Sequence, residues 1–465
     1  MKKIKLFFAT ALVIASFVSC KKELNEEPFT TFSDVDAFSS ADRIDKSAVG
    51  MYNALQNANY LNGRVLIYAD IRGTDVVPNT FFGNMGFFGL TQANDGVVTG
   101  AWQAAYRTIN ETNLFVKNFT PKIALVTPAK ADQYLGEAKY IRALSYFYLV
   151  NLWAQPYSFT AGATHLGVPL ILEAAADPFA LSNNVPRATV KAVYDQIEAD
   201  LLDAEAKLPA TYLDAYTKTS RATKPAARAL LARLYLYKKD YTKAATYANT
   251  IITSGLHALQ ATPDVPFRTY TTSESIFSVA FDGGDNPNTN NSLGQHYGSQ
   301  ARADLPLAAT FVALFNPIDL RRTSLMRVAS GNTWTTKYNA GTTDWAPISR
   351  YAEILLIRAE ALANLASGTT ADAAAITLLN QIRTRAGVPS VTPTTKQDLL
   401  DAIYLERRFE LYAEGQGSLD YLRTGRDIPA HSGVPLTAWG SNYCVLPIPF
   451  YDLQKNPNLV PNPGY

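Results

Sequence analysis

The chain has 465 residues, 47% hydrophobic and 18% charged, the balance of a folded protein with a large buried core and not of a disordered one. Lysine and arginine number 42 against 40 acidic residues, a net charge of +2, and no basic run concentrates it, which excludes a nucleic-acid binder that works by neutralising phosphates. The two cysteines, Cys20 and Cys444, exclude a disulfide scaffold and a thiolate zinc centre.

In chain order, Lys2, Lys3 and Lys5 precede an apolar run over residues 6–18. About a dozen residues cannot cross roughly 30 Å of hydrocarbon as a helix, so the run reads as the core of a secretory signal. It ends in Phe17-Val18-Ser19-Cys20, a small residue directly before a cysteine. That ending resembles a bacterial lipobox, in which residues 1–19 are cleaved off and Cys20 is acylated; an ordinary signal peptide with an incidental cysteine is the alternative. Phe17 departs from the aliphatic residue usual there. Each buried acyl methylene contributes about 0.8 kcal/mol, so several chains on one cysteine hold a protein at a membrane without a span. Cleavage takes three lysines and no acid from a chain of net charge +2, leaving −1. Cys444 then lacks a partner and is expected as a buried thiol.

Residues 20–38 are expected to be a lipid-anchored tether: Glu23, Glu26, Glu27 and Pro28 lie in a polar stretch without period. Residues 39–465 follow as one domain, with an N-terminal part to about residue 250 and a C-terminal part beyond it. Apolar residues at steps of three and four predict helices over 137–153, 190–208, 225–237, 241–252, 351–365, 373–386 and 399–412. Pro209 stops the second of these, and Gly387 sits where a helix C-cap is expected. Several helices come in pairs. Ala227, Leu230, Leu231 and Leu234 face small residues, Ala244 and Ala248, across a short turn, which is how tetratricopeptide hairpins pack. A strict 34-residue period is absent. The expected fold class is therefore mainly α, with tetratricopeptide-like hairpins, minor β, and long irregular insertions at 73–100, 156–188, 260–348 and 424–465. Loops of that length in a compact protein carry function, and their aromatic content argues against disorder.

The order of motifs is similar to that of the SusD/RagB family of outer-membrane lipoproteins. Trp102, Tyr106, Ile109 and Asn113 resemble its early helix, and the segment from Glu137 through Tyr140, Ile141, Arg142 and Phe147 to Trp153 its most recognisable one. Pro186-Arg187-Ala-Thr189, Ala226-Ala227, Arg350-Tyr351-Ala352-Glu353 and Ala359-Glu360-Ala361 follow. After them come Arg385-Ala386-Gly387, Glu406-Arg407-Arg408-Phe409-Glu410-Leu411 with Glu414-Gly415, and Leu446-Pro447-Ile448-Pro449. The resemblance implies a SusD-like fold and a cell-surface binding protein that captures an oligosaccharide, polysaccharide or peptide. It also implies a SusC-like TonB-dependent transporter as partner, facing the repeat hairpins, with the ligand site in the loops. Glu353, Glu360, Glu406 and Arg407 lie among apolar residues on helices, and buried ion pairs are their expected state. Trp102 and Trp153 are expected in the core.

Sugar recognition needs aromatic faces and planar polar groups. The first loop offers Arg72, Asp75, Asn79, Phe81, Phe82, Phe87 and Phe88. The second offers Asp282 and Asp285, then His296 and Tyr297; the third offers Trp334, Lys337, Tyr338 and Trp345. The candidate ligand contacts are Trp334 first, with Tyr297, Phe88, Phe87, Arg72, Asp75 and Trp345; the alternative for each ring is to anchor a long loop to the core. No cofactor is expected. The acidic loop 282–291 has oxygen ligands that suit calcium, but it lacks the EF-hand spacing, so a solvated turn is favoured. His165, His257, His296 and His431 are isolated, and no zinc helix, nucleophile elbow or phosphate loop is present. No enzyme is expected, although a carboxylate pair of the glycosidase kind leaves no signature in a sequence. A lid for the transporter without ligand affinity is the other alternative.

Overall fold

Polar caps and apolar stripes set the helices of the computed structural model, which describes residues 34–175, 177, 180–299 and 302–465. The signal segment, Cys20 and most of the tether lie outside these residues. The main helices are α1 (Ala41–Leu55), α2 (Arg64–Ile71), α3 (Gly96–Phe119), α4 (Pro128–Trp153), α5 (Val190–Lys207), α6 (Lys224–Lys238), α7 (Tyr241–Thr253), α8 (Tyr351–Leu365), α9 (Ala373–Arg385), α10 (Lys396–Leu411) and α11 (Gly417–Thr424). Thr127, Thr189, Thr223, Asp240, Asp372 and Thr395 each accept a backbone N–H of the first turn at the start of α4, α5, α6, α7, α9 and α10, satisfying donors the helix leaves open. Gly387, at φ +69°, follows the end of α9, a conformation that a side chain would strain.

The helices stack in sequence: α3 on α4, α4 on α5, α5 on α6, α6 on α7, α7 on α8, and α8 on both α9 and α10. Ala244, Ala248 and Ile251 of α7 are buried, so the small faces expected from the sequence do bring the paired helices together. A second cluster, built from Leu355, Leu356 and Ala359 of α8, Leu379 and Ile382 of α9 and Leu399 and Ile403 of α10, closes the C-terminal hairpins. The fold is thus mainly α with tetratricopeptide-like hairpins. Among the described residues, three two-stranded antiparallel ladders decorate it: β1 (Leu166–Pro169) with β2 (Arg187–Thr189), β3 (Ser275–Val279) with β6 (Ala346–Arg350), and β4 (Met326–Ala329) with β5 (Asn332–Thr335). Trp102 and Trp153 are core residues, 5.5 Å apart ring to ring.

Charged motif residues tie the stack together. Arg233 of α6 makes a two-pronged pair with Glu353 of α8, at 2.7 and 2.6 Å, both side chains buried. Arg423 of α11 grips Glu360, and Arg407 and Arg423 share Asp420. Around Glu410, five cations (Arg321, Lys337, Arg350, Arg383 and Arg385) meet five carboxylates (Glu274, Asp319, Glu406, Glu410 and Glu414). Equal numbers let the charges leave water together, which unpaired ions cannot do. Burial alone would raise the Glu410 pKa, but Arg385, Arg350, Arg321 and Lys337 bring it down to about 2. Lys337, read from sequence as a loop residue, is part of this network: its Nζ donates to the Glu410 and Tyr412 carbonyls and to Glu414. Cys444 is buried, its Sγ 3.2 Å from the Ala438 carbonyl.

Candidate functional site

The three long loops meet as one body. The Val77 N–H donates to the Pro306 carbonyl, Ala308 N–H to Asp75 O and Leu307 N–H to Thr333 O, so residues 75–77, 306–308 and 333 form a short bridge across all three. The short helix Leu293–Tyr297 sits between them, and Ser292 Oγ donates to the Gly341 carbonyl. Long segments pinned at several points lose their freedom on folding, not on binding, which is what a preformed site needs.

Most of the aromatic candidates do the pinning. Trp334 is 6% exposed, and its Nε1–H donates to the Ala329 carbonyl within the β4–β5 hairpin. Trp345 lies face to face with Tyr270 (5.4 Å, 12°) and donates to the Phe281 carbonyl. Tyr297 is fully buried, its hydroxyl 2.8 Å from Asp70. Phe88 is buried at φ +36°, with the Arg72 guanidinium 4.4 Å from its ring centre; Arg72 itself donates to the Met85 and Tyr443 carbonyls. Asp75 is buried against Arg408 at 2.6 Å. All six side chains therefore face inward, where they satisfy buried polar groups or fill the underside of the loops. Phe87 alone of the seven remains half-buried, packed against the small cluster around Tyr421 and Cys444.

The exposed chemistry gathers beside them. Phe81 is half-buried, with the Arg302 guanidinium 3.8 Å from its ring centre and that of Arg64 at 5.4 Å. Asn79 sets its place: Asn79 Oδ1 accepts the Phe81 N–H and Asn79 Nδ2 donates to the Asp304 carbonyl. Arg302 donates to Asp304 and to the Asn290 amide oxygen, and Arg64 donates to Asn291 Oδ1 and the Asn290 carbonyl. His296 faces two acceptors, Asp304 Oδ2 at 2.8 Å and the Asn290 carbonyl at 3.0 Å. Burial outweighs both and lowers the pKa of the ring. The same short helix supplies Gln295 to a cleft of about 430 Å³, together with Ser299, Arg327, Thr336 and Asn339. Arg327, exposed on β4 directly across from Trp334, has no acidic partner among the described residues. Sequence reading included Asn79, Phe81 and His296 but missed Arg64, Arg302 and Arg327, which carry no motif and become neighbours only when the loops close.

The arrangement suits binding. It offers an aromatic ring, guanidinium groups and planar amides next to a polar cleft whose lining includes no carboxylate. Asp304 is already engaged by Arg302 and His296. The acidic loop folds on itself, with Asp282 Oδ1 accepting the N–H groups of Gly284 and Asp285. Among the described residues no cluster of three or more histidine, cysteine or acidic side chains could hold a metal ion, and no helix is long and apolar enough to cross a membrane.

Comparison with known proteins agrees along the chain. A family described as starch-binding and associating with the outer membrane, SusD-like, matches residues 22–236, and the SusD family matches residues 322–465. SusD-like protein P38 of Formosa agariphila is 25% identical with all of both chains covered. A SusD superfamily protein from Bacteroides fragilis superposes with a TM-score of 0.80 at 29% identity, over 91% of this chain and 100% of that one. A SusD-like carbohydrate binding protein from Bacteroides vulgatus shares the fold, with a TM-score of 0.76 at 22% identity over 90% of this chain and 97% of that one.

Proposed function

We propose, for a chain that belongs to the SusD/RagB family, that it is a lipid-anchored protein at the outer membrane which binds an oligosaccharide or polysaccharide on its loop face. It then passes the ligand, unaltered, to a SusC-like TonB-dependent transporter. The observation that carries this reading is the Phe81–Arg302 pair beside the cleft of Gln295, Arg327 and Asn339, held by loops that are pinned to one another. A ring presents an apolar face to the C–H side of a sugar, while amides and guanidinium groups reach its hydroxyls. The carboxylates support binding without catalysis: Asp304 is engaged by the Arg302 guanidinium and the His296 ring, and the lining of the cleft includes no carboxylate.

A peptide is the second reading, because exposed Arg327 suits a carboxylate as well as a hydroxyl. The test is a panel. Residues 21–465 are run through native gels containing soluble starch, xylan, laminarin or polygalacturonate, and titrated in parallel with a mixed peptide library. Retardation by one polysaccharide is the expected result; binding to peptides alone selects the second reading, and binding to neither leaves a lid. Membrane attachment is tested separately, since Cys20→Ala should move the protein from the membrane fraction to the soluble one.

A further inference from the structure

Away from the loop face lies a second cleft, of about 460 Å³, between the C-terminal half of α1, the short helix Ala215–Ser220 and strand β3. Its floor is apolar and fixed: Leu55, Phe277, Val279 and Ala280 are buried. One wall is the ring of Tyr216, which is 52% exposed. That ring stands edge-to-face on Trp345 at 5.1 Å, and Trp345 is in turn stacked on Tyr270. Three rings in series hold Tyr216 in place from beneath, so its exposure is built in and not a fraying end. Trp345, expected from sequence to touch ligand, thus serves as the support of the ring that is free to do so.

Two polar side chains of the cleft are uncommitted. The side chains of Asn53 and Asp285 are exposed and line the cleft, and neither makes a hydrogen bond or ion pair with the other described residues. Arg221, at the back, is taken up by Glu137 at 2.7 Å. A rigid, half-exposed ring, a free amide and a free carboxylate around an apolar floor match the requirements of one sugar unit: a face for its C–H side, and a donor and an acceptor for adjacent hydroxyls.

We infer that this cleft is a second saccharide subsite; the inference rests on the reading of the protein as a glycan binder. The loop between β3 and the helix Leu293–Tyr297 links it to the loop face. Asp285 lies on the cleft and Asn290 holds Arg302 and Arg64. They are five positions apart in the chain, so their Cα atoms are at most about 18 Å apart. One polysaccharide chain can engage both positions, and the second contact is then intramolecular and raises avidity. Short oligosaccharides reach only one.

The experiment uses residues 21–465 and a ladder of oligosaccharides cut from whichever of soluble starch, xylan, laminarin or polygalacturonate retards the protein in a native gel. Tyr216→Ala and Asp285→Ala are titrated against each length, with Phe81→Ala as the loop-face control and thermal unfolding to confirm the fold. The subsite predicts wild-type affinity for the shortest binding oligosaccharide and a loss of about threefold to tenfold for long chains in both cleft variants. Wild-type titration curves at every length would overturn the subsite while leaving the glycan reading intact. Equal loss at every length would make the cleft the primary site and overturn the two-site account. A wild-type protein that no polysaccharide retards would end the parent reading, and this one with it.

Discussion

Replacing Glu353 by Gln probes the joint between successive repeat hairpins. The carboxylate meets Arg233 through two hydrogen bonds, at 2.7 and 2.6 Å, with 1% and 3% of the two side chains exposed. Among the described residues no other carboxylate reaches Arg233, whose remaining hydrogen bond runs to the Ile348 carbonyl. Glu353→Gln therefore leaves a guanidinium in the core with no anion beside it, and breaking a buried pair from one side costs about 3–5 kcal/mol. At about 2.1 cal/mol/K of unfolding entropy per residue, a chain of about 430 folded residues loses close to 1 °C per kcal/mol, so Tm should fall by about 3–5 °C. The double variant Arg233→Met/Glu353→Leu removes both charges and fills the space with apolar atoms, and it should recover most of that loss. Differential scanning calorimetry reads both. A single variant within 1 °C of wild type, or a double variant as damaged as the single, would refute the view that this pair is a matched joint.

Other expectations follow from the same contacts. Phe81→Ala should weaken glycan binding by about 0.5–1.5 kcal/mol, up to roughly tenfold, with unchanged Tm, as read by isothermal titration. Trp334→Ala should lower stability by about 3–5 kcal/mol through the space left under the β4–β5 hairpin, seen as a drop in Tm. Asp70 accepts the N–H groups of Gly415 and Gly417 and the Tyr297 hydroxyl, makes no ion pair among the described residues, and burial pushes its pKa up from 3.8 to about 7. The folded state therefore holds the proton more tightly than the unfolded one, and this residue's contribution to stability falls as pH rises from about 4 to about 7. The advantage of wild type over Asp70→Asn in urea unfolding should shrink across that window; an advantage that grows with pH would contradict it.

How legible the fold was depended on exposure. Helices with one wet face, such as α5, α7 and α9, showed their period, and their ends fell within a few residues of the observed ones. Helix α2 did not: Val65 to Ile71 are all buried, so nothing alternates along it. Its place is set by contacts from far along the chain, Asp70 on Gly415 and Gly417, with Gly415 held at φ +77° against Leu66. The ion pairs of Glu353, Glu360, Glu406 and Arg407 could be foreseen because a charge among apolar residues on a helix needs a partner.

The site was legible as three loops but not as residues. Composition shows that a loop carries Trp, Tyr and Phe; it does not show which ring lies beneath the chain and which above it. Trp334 and Tyr297 went under, while Phe81, Tyr216 and Arg327 stayed in reach of solvent. Arg64 and Arg302 meet on Phe81 only because the helix Leu293–Tyr297 folds back toward α2.

The account turns on a preformed face that holds a glycan and leaves it whole. The most direct measurement titrates residues 21–465 with the oligosaccharide ladder in a calorimeter and then recovers the ligand for chromatography. Saturable binding, weakened up to roughly tenfold by Phe81→Ala, with every oligosaccharide eluting at its starting length, is the predicted result. Absence of binding across the ladder, or shortened products that accumulate with time, would contradict it.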